Sequence, residues 1–344
     1  MMKDNVLFIT NGNLKIGYGH ISRDLVIAEV FRKRNWDTNF LIQSSSPFLD
    51  NILREHNNVL VVDSFKQNNV IHSISNLVKN RKLSVIIIDL IEEEYVKFRW
   101  LRKKYSDILI VSITLFLFDL KNRYEHMSFF PDMEKITTKV DFLLYSGPSY
   151  LVFRDEFKNR TRTQRKNANK VLISMGGTDP YGLTLKATKS LVKFNLLDVT
   201  ILLSELSPFY DKVKALIYNK ENIRLINKTD NISILMSEND LLILNGGLTR
   251  YEACISQLPF IAISIHKLQY NITKRLTDIG IGINLGINNE ISEMTIQQSV
   301  SQLLDNYNLR VDMGKRMKSL FDTKGATRIF NIIAKERYSN EKNN

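Results

Sequence analysis

A pair of glycines and a histidine near the start of the chain have the residue types for acid–base chemistry beside an anion. The motif Gly17-Tyr18-Gly19-His20 lies between an apolar strand pattern at residues 6–10 and a helical pattern that begins near Ile21. Glycines allow a tight turn, and the helix that follows offers free N–H groups to an anion. His20 could act there as a general base, because imidazole titrates near neutral pH. A capping contact of the same histidine is the alternative.

Two glycine pairs in the second half of the chain have the pattern of phosphate-binding turns. The first lies in the motif Ser174-Met175-Gly176-Gly177-Thr178-Asp179-Pro180, directly after a strand pattern at residues 171–174. Its amides and the Thr178 hydroxyl are suited to a diphosphate, and a plain strand-to-helix turn explains the same pattern.

The second pair lies in Asn245-Gly246-Gly247-Leu248-Thr249-Arg250-Tyr251-Glu252, after a strand pattern at residues 241–244. Gly246 and Gly247 open the N-terminus of a helix, and Glu252 falls in its first turns. A carboxylate there can accept hydrogen bonds from two ribose hydroxyls while the amides meet phosphate oxygens. The alternative role of Glu252 is to complement the helix dipole.

The other reactive side chains do not form a metal or nucleophile motif. His56, His72 and His126 have no companion at metal-ligand spacing, and His266 is interpreted as a solvated loop residue. The single cysteine, Cys254, is predicted to pack in the core rather than to act as a nucleophile. We therefore expect no metal and no cofactor.

The elements that must position these residues alternate between short β-branched runs and helical segments, which predicts parallel α/β sheets. Strand patterns occur at residues 6–10, 38–42, 59–62, 85–89, 108–113 and 141–145, and again at 171–174, 199–203, 223–226, 241–244, 260–265 and 282–285. Helical patterns occur at residues 21–33, 71–79, 92–105, 183–193 and 249–257, and in the tail at 290–335. We predict two doubly wound Rossmann-like domains that face a cleft. They span residues 1–153 and 171–335, joined by a linker at 154–170 and followed by a frayed polar tail at 336–344.

The net charge of +12 suits an anionic partner, such as a nucleotide diphosphate, a nucleic acid or the inner surface of a membrane. The densest basic run, at residues 158–170, is interpreted as a solvated linker, with peripheral contact to a membrane surface as the alternative. One cysteine, and no apolar stretch near the roughly 20 residues of a membrane helix, predict a cytoplasmic protein. No recognition-helix motif supports binding of nucleic acid.

The motif around His20 and several later segments resemble one family. Residues 16–25, Ile-Gly-Tyr-Gly-His-Ile-Ser-Arg-Asp-Leu, look like the opening signature of the UDP-2,4-diacetamido-2,4,6-trideoxy-altropyranose hydrolases of pseudaminic acid biosynthesis and of the related spore-coat polysaccharide proteins. The later matches are residues 147–150 with 154–157, 175–179, 222–224, and Glu252 with Gln269. This family is similar in fold to the GT-B glycosyltransferase that makes the lipid-linked peptidoglycan precursor.

The resemblance implies a GT-B protein whose C-terminal domain holds UDP and whose N-terminal domain presents a catalytic histidine, here His20. His20 would help water attack the anomeric carbon with inversion, and Glu252 would bind the ribose. No metal is implied, because amides and helix N-termini can stabilise the leaving charge. The residues expected to bind the UDP-activated sugar are Gly17, Gly19, Gly176, Gly177, Thr178, Gly246, Gly247, Glu252 and Gln269.

Two departures from the family pattern keep a second enzymatic hypothesis open. An Asp-His pair usually ends the strand that matches residues 85–89, whereas here Asp89 is followed by Leu90. Paired acidic residues usually follow the next strand, where this chain has residues 112–118, Ser-Ile-Thr-Leu-Phe-Leu-Phe. The first hypothesis is a hydrolase. The second is an inverting glycosyltransferase in which His20 activates an acceptor hydroxyl and the apolar residues 115–118 suit a lipid-linked acceptor.

Overall fold

The chain divides into two units, one formed by Met1–Arg154 with Thr323–Asn344 and the other by Asp155–Asp322. The structure, a computed structural model, describes residues 3–12, 19–43, 57–81, 83–114, 123–134, 136–137, 139–158 and 161–343. Among the positions with predicted roles, Gly17 and the apolar residues 115–118 lie outside the described residues.

The first unit is built on a parallel sheet of seven strands in the order β3-β2-β1-β4-β5-β6-β7. The strands are β1 (Asn5–Thr10), β2 (Asp37–Gln43), β3 (Asn58–Val62), β4 (Leu83–Asp89), β5 (Leu109–Ile113), β6 (Met127–Phe130) and β7 (Leu143–Ser146). The helices that follow them in this part of the chain are α1 (Gly19–Arg32), α2 (Gln67–Arg81), α3 (Glu92–Tyr95) and α4 (Trp100–Lys104).

Both faces of this sheet are covered, which explains why its central strands are continuous apolar runs. Every residue of β1 and β4 is buried. Successive side chains of a strand point to opposite faces, so Val6 and Phe8 belong to one core with α1, whereas Leu7 and Ile9 belong to another with α2.

The second unit is built on a parallel sheet of six strands in the order β10-β9-β8-β11-β12-β13. The strands are β8 (Lys170–Ser174), β9 (Asp198–Leu202), β10 (Ile223–Ile226), β11 (Leu241–Asn245), β12 (Phe260–Ser264) and β13 (Ile283–Ile287). The helices are α5 (Leu183–Leu191), α6 (Tyr210–Leu216), α7 (Ile232–Glu238), α8 (Thr249–Ile255), α9 (Lys267–Asp278), α10 (Glu293–Asp305) and α11 (Tyr307–Leu320). The predicted class, two doubly wound parallel α/β sheets, is therefore confirmed.

The last helix, α12 (Gly325–Asn343), packs on the first unit, which differs from the predicted domain boundaries. One face of it carries Ile329, Phe330 and Ile333 into the core beside α1. The predicted boundary at residue 335 and the frayed tail at 336–344 are corrected accordingly, because the helix continues to Asn343 and Tyr338 donates a hydrogen bond to Asp4 (2.9 Å). A helical pattern shows which face is apolar but does not show which sheet that face covers.

The basic run at residues 158–170 belongs to the second unit rather than to a solvated linker. Arg162 donates hydrogen bonds to the backbone oxygens of Asn239 (2.7 Å) and Ser256 (3.2 Å), and burial lowers its pKa to about 10. Arg165 pairs with Asp240 at 2.9 Å. These guanidinium groups bind oxygens of the unit itself, which a count of charges does not reveal. The membrane-surface alternative stays a prediction.

Several elements were absent from the pattern predicted by the sequence. Strand β6 and helices α6, α7 and α9 were not predicted, and the helix expected at residues 92–105 is divided into α3, a short 3-10 turn and α4. Within the described part of the chain, no helix is long and apolar enough to cross a membrane.

Removing the Phe330 ring is expected to destabilise the first unit. Its centroid lies 4.8 Å from that of Phe31 and 6.0 Å from that of Trp36. Phe330→Ala should lower the free energy of unfolding by about 3–5 kcal/mol. Both tryptophans, Trp36 and Trp100, belong to this unit, so their fluorescence during urea unfolding reports the loss.

The matched control for this measurement is Leu196→Ala in the second unit, where the side chain is 89% exposed. It should leave the fluorescence transition unchanged. A wild-type midpoint for Phe330→Ala would contradict the packing of α12 on this unit.

Candidate functional site

The candidate site of the first unit lies where β1 and β4 end. These strands are parallel neighbours, and their last residues, Thr10 and Asp89, are register partners. The chain runs from β1 outward through β2 to β3 and then returns to place β4 on the other side of β1. Such a switch in strand order opens a crevice at the carboxyl edge of a sheet. Helix α1 begins there with Gly19 and His20.

His20 forms a close pair with Asp89. The distance between His20 Nδ1 and Asp89 Oδ1 is 2.5 Å, and the exposed fractions of the two side chains are 15% and 0%. A carboxylate can only accept a hydrogen bond, so in the neutral imidazole Nδ1 carries the hydrogen and Nε2 keeps its lone pair. This is the tautomer that a general base needs when it takes a proton through Nε2.

Arg23 fixes the carboxylate that orients His20. Its Nε donates to Asp89 Oδ2 and its Nη2 donates to Asp89 Oδ1, each at 2.7 Å. Burial alone would raise the pKa of Asp89, but the charges and hydrogen bonds of Arg23 and His20 outweigh burial and lower it to about 2. Asp89 is therefore a charged acceptor throughout the neutral range.

A second carboxyl group, Asp24, is buried in the same cluster. Its residue is 0% exposed, and among the described residues no hydrogen bond of ordinary geometry reaches either of its oxygens. Burial, followed by the charge of Asp89, raises the pKa of Asp24 well above its usual value, against the opposing effects of Thr10 and Arg23. Burial and the neighbouring Asp89 carboxylate therefore favour the protonated form of Asp24 relative to that of an exposed aspartic acid.

The candidate site of the second unit lies at the equivalent switch in strand order, between β8 and β11. The glycine turns that follow these two strands are tied together by Asn245. Its Nδ2 donates to Met175 O at 2.6 Å, and its Oδ1 accepts from the N–H of Gly247 at 3.0 Å. One side chain therefore connects both predicted phosphate-binding turns.

At three of the predicted glycines a side chain would either strain the backbone or collide with a neighbour. Gly176 has a φ of +93°, in the region that favours glycine. A Cβ on Gly246 would lie 2.8 Å from Cβ of Gln269, and one on Gly247 would lie 2.8 Å from Oδ1 of Asn245. Gly177 is exposed with open space around it, and Thr178 is half-buried on the same turn.

The free amides of the second turn lie one residue further along the chain than the glycines. Gly247 N–H is already bonded to Asn245, whereas within the described residues the N–H groups of Leu248 and Thr249 have no acceptor. Glu252 is half-buried on α8. Gln269, on α9, accepts from Ile265 N–H through Oε1 (3.0 Å), which leaves its amide nitrogen as the donor end.

The structure therefore gathers the predicted residues into two groups. Gly19 and His20 lie in the first unit, and Gly176, Gly246, Gly247 and Gln269 are grouped around Asn245 in the second. The motifs of the sequence do not indicate roles for Asp89, Arg23 and Asn245. The sequence does show that Asp89 is an acidic residue at the end of a strand pattern. It does not show that its partner is His20, which lies 69 residues away.

The matching segment at residues 222–224 lies elsewhere. Arg224 donates to Thr200 Oγ1 at 2.8 Å and pairs with Glu238 at 3.1 Å. With Asn222 it lines a cavity of about 450 Å³ at the amino-terminal edge of the second sheet, opposite the glycine turns. This segment therefore does not contribute to the candidate nucleotide site.

The remaining predicted side chains are structural. Cys254 is fully buried, and burial raises the pKa of its thiol. His126 Nδ1 accepts from Ile110 N–H at 3.0 Å, and burial lowers the pKa of His126 to about 4. Within the described ranges, no group of three or more His, Cys, Asp or Glu side chains is arranged to hold a metal ion.

Replacing Asp24 by its neutral isostere is expected to stabilise the protein increasingly as the pH rises. In the unfolded chain Asp24 loses its proton above a pH of about 4, whereas its raised pKa in the folded protein shifts this loss to higher pH. Wild-type stability therefore falls with pH by at most about 1.4 kcal/mol per pH unit from this group, and Asp24→Asn removes that loss. Urea unfolding between pH 5 and pH 8 measures the difference.

Asp63→Asn, at an exposed position of the same unit, is the matched control. If Asp24→Asn instead lost stability at every pH, Asp24 would be an ionised partner of Arg23.

Comparison with known proteins supports the resemblance carried by the motifs. No family model matches the chain. The spore coat polysaccharide biosynthesis protein SpsG of Bacillus subtilis is 25% identical over 342 residues, covering 96% of this chain and 97% of that protein. The UDP-2,4-diacetamido-2,4,6-trideoxy-beta-L-altropyranose hydrolase of Campylobacter jejuni is 26% identical over 277 residues, covering 77% of this chain and 93% of that protein.

Among solved structures, MurG of Acinetobacter baumannii has a TM-score of 0.71 at 14% sequence identity, covering 96% of this chain and 99% of that chain. An identity this low shows the fold alone. The homologues of the chain thus include the spore-coat polysaccharide protein and the altropyranose hydrolase, and its two sheets with their helices have the GT-B fold.

Proposed function

We propose that the chain is an enzyme of polysaccharide biosynthesis that uses a nucleotide-activated sugar, and that it hydrolyses a UDP-linked diacetamido-trideoxy amino sugar. The observation that carries the proposal is the 2.5 Å contact between His20 and Asp89, which leaves His20 Nε2 as a base. The names of the two relatives support the substrate class: one acts on a UDP-diacetamido sugar, and the other is a polysaccharide biosynthesis protein.

In the proposed step, His20 takes one proton from water through Nε2 while the water oxygen attacks the anomeric carbon. The bond between that carbon and the diphosphate oxygen breaks, and UDP leaves with the electron pair. Attack opposite to the leaving group inverts the anomeric configuration. Asp89 stabilises the imidazolium that forms, as a carboxylate does when it orients a catalytic histidine.

The second unit supplies the nucleotide site in this proposal. Turns containing Gly176 and Gly246 bring the backbone close to the diphosphate, and the N–H groups of Leu248 and Thr249 donate to its oxygens. Glu252 accepts hydrogen bonds from the ribose, and the amide nitrogen of Gln269 adds a donor. Gly177 and Thr178 complete the first turn.

An inverting glycosyltransferase is the second candidate, because the same base can activate an acceptor hydroxyl. The match to SpsG over 96% of this chain favours it, since that relative is named for polysaccharide biosynthesis rather than for hydrolysis. The two functions differ in the nucleophile, so they differ in whether UDP is released without an acceptor.

To test the proposal, the purified protein is incubated with a panel of UDP-amino sugars and the release of UDP is measured. The sugar product is followed by NMR. Steady release of UDP with free sugar of inverted configuration is the expected result. Release that begins only after an acceptor extract is added would replace the hydrolase by the transferase.

Replacing either member of the pair formed by His20 and Asp89 should strongly reduce turnover and leave UDP binding intact. We expect His20→Ala and Asp89→Asn to lower kcat by about 10²–10⁴-fold, because the base or its tautomer is lost. UDP affinity measured by calorimetry should stay near that of the wild type. His72→Ala, at an exposed histidine of the same unit, is the matched control. Near-normal turnover of His20→Ala would remove its catalytic role.

Removing the Glu252 carboxylate should weaken UDP binding through the ribose. Loss of charge-assisted hydrogen bonds costs about 1.5–3 kcal/mol, so we expect Glu252→Ala to weaken UDP about 10- to 100-fold. The wild type should prefer UDP to 2′-deoxy-UDP, and the variant should lose that preference.

Glu293→Ala removes an acid from the first turn of another helix of the second unit and serves as the control. If Glu252→Ala behaves like Glu293→Ala, with only a small loss of stability, its role is to complement the helix dipole.

A further inference from the structure

Arg250 is a buried cation directly behind the second glycine turn. It is the second residue of α8 and is 3% exposed. Its Nη1 donates to the carbonyl oxygen of Gly247 at 2.9 Å and also to that of Gly246. The guanidinium lies over the buried ring of Tyr251, 4.5 Å from its centroid. Both glycine carbonyls therefore face inward, toward one side chain.

The direction of these carbonyls sets the direction of the next amides. In a trans peptide the C=O and N–H groups point in opposite directions. Because the Gly247 carbonyl points to Arg250, the N–H of Leu248 points away from Arg250. The N–H of Gly247 likewise points away and meets Asn245 Oδ1. Arg250 thus fixes the carbonyl side of the turn, and Asn245 fixes the amide side.

The charge of Arg250 has no carboxylate partner among the residues that the structure describes. Buried Arg23 pairs with Asp89, and buried Arg123 pairs with Glu125. Arg310 also binds backbone carbonyls, and the charge of Asp240 acts to raise its pKa against the lowering effect of burial. A buried cation is costly unless a negative charge compensates for it. At Arg250 the compensating charge is one that the turn itself would bind.

We propose that Arg250 is a positioning residue of the candidate nucleotide site: it holds the carbonyls of Gly246 and Gly247 and supplies positive charge behind the turn for a diphosphate bound in front of it. The inference rests on the proposed function, in which this turn binds UDP. It further predicts that Arg250 raises the affinity for UDP but not the affinity for uridine, because its charge acts on the diphosphate and not on the nucleoside.

The test compares UDP with uridine on the full chain, by calorimetry for UDP and by NMR titration for uridine. Arg250→Met should weaken UDP by about tenfold or more and change uridine affinity by less than about twofold. Arg250→Lys, which keeps the charge, should retain most of the preference for UDP. If Arg250→Met does not fold, Arg250→Gln takes its place, because it removes the charge but keeps a donor for a glycine carbonyl.

Arg310→Met is the matched control, since Arg310 is equally buried and donates to Leu303 O (2.6 Å) and Arg165 O (2.7 Å) in the same unit. It should lower Tm but keep the ratio of UDP to uridine affinity. Equal weakening of UDP and uridine in Arg250→Met, or no weakening of UDP, would overturn the inference. A wild-type protein that binds no UDP would overturn the proposed function itself.

Discussion

Both candidate sites depend on one parallel strand pair in each sheet. The pair is β1 with β4 in the first unit and β8 with β11 in the second. In the first unit this pairing places Asp89 opposite Thr10, and in the second it places Leu244 opposite Ser174. Parallel neighbours end at the same edge, so each pairing brings two strand-to-helix connections together there. His20 meets a carboxylate 69 residues away, and Asn245 meets a carbonyl 70 residues away, because the strands beneath them are fixed in register.

The two sites place charge in different ways on this common plan. The first concentrates ionic groups, in which the Arg23 guanidinium holds Asp89 ionised and Asp89 holds the tautomer of His20. The second has neutral amides in front and the Arg250 guanidinium behind. A base needs an anion that supports its proton uptake, whereas a diphosphate needs donors and positive charge. The contrast in polarity between the two sites therefore matches the two tasks of the proposed reaction.

The sequence predicts the sheets better than it predicts the partnerships between side chains. Buried parallel strands are continuous β-branched runs, so the strand pattern at residues 85–89 located β4 closely, whereas the four-residue β6 was missed. The histidine at the start of α1 was identified from its motif, but its pairing with Asp89 depends on strand order. The charge pattern around Arg162 predicts a solvated linker, whereas the carbonyl groups that Arg162 binds belong to residues more than 70 positions away.

The departures from the family pattern acquire a physical meaning in the folded chain. Leu90, where the family usually has a histidine, is buried in the apolar core on the α2 face of the first sheet. The hydroxyl of Ser112, near the end of β5, donates a hydrogen bond to the carboxylate of Glu125 at 2.9 Å. Arg123 neutralises this carboxylate through a hydrogen bond of 2.7 Å. Leu90 thus packs in the apolar core, and Glu125 forms a buried ion pair with Arg123. The proposed reaction accordingly assigns its proton transfer to His20, which Asp89 orients.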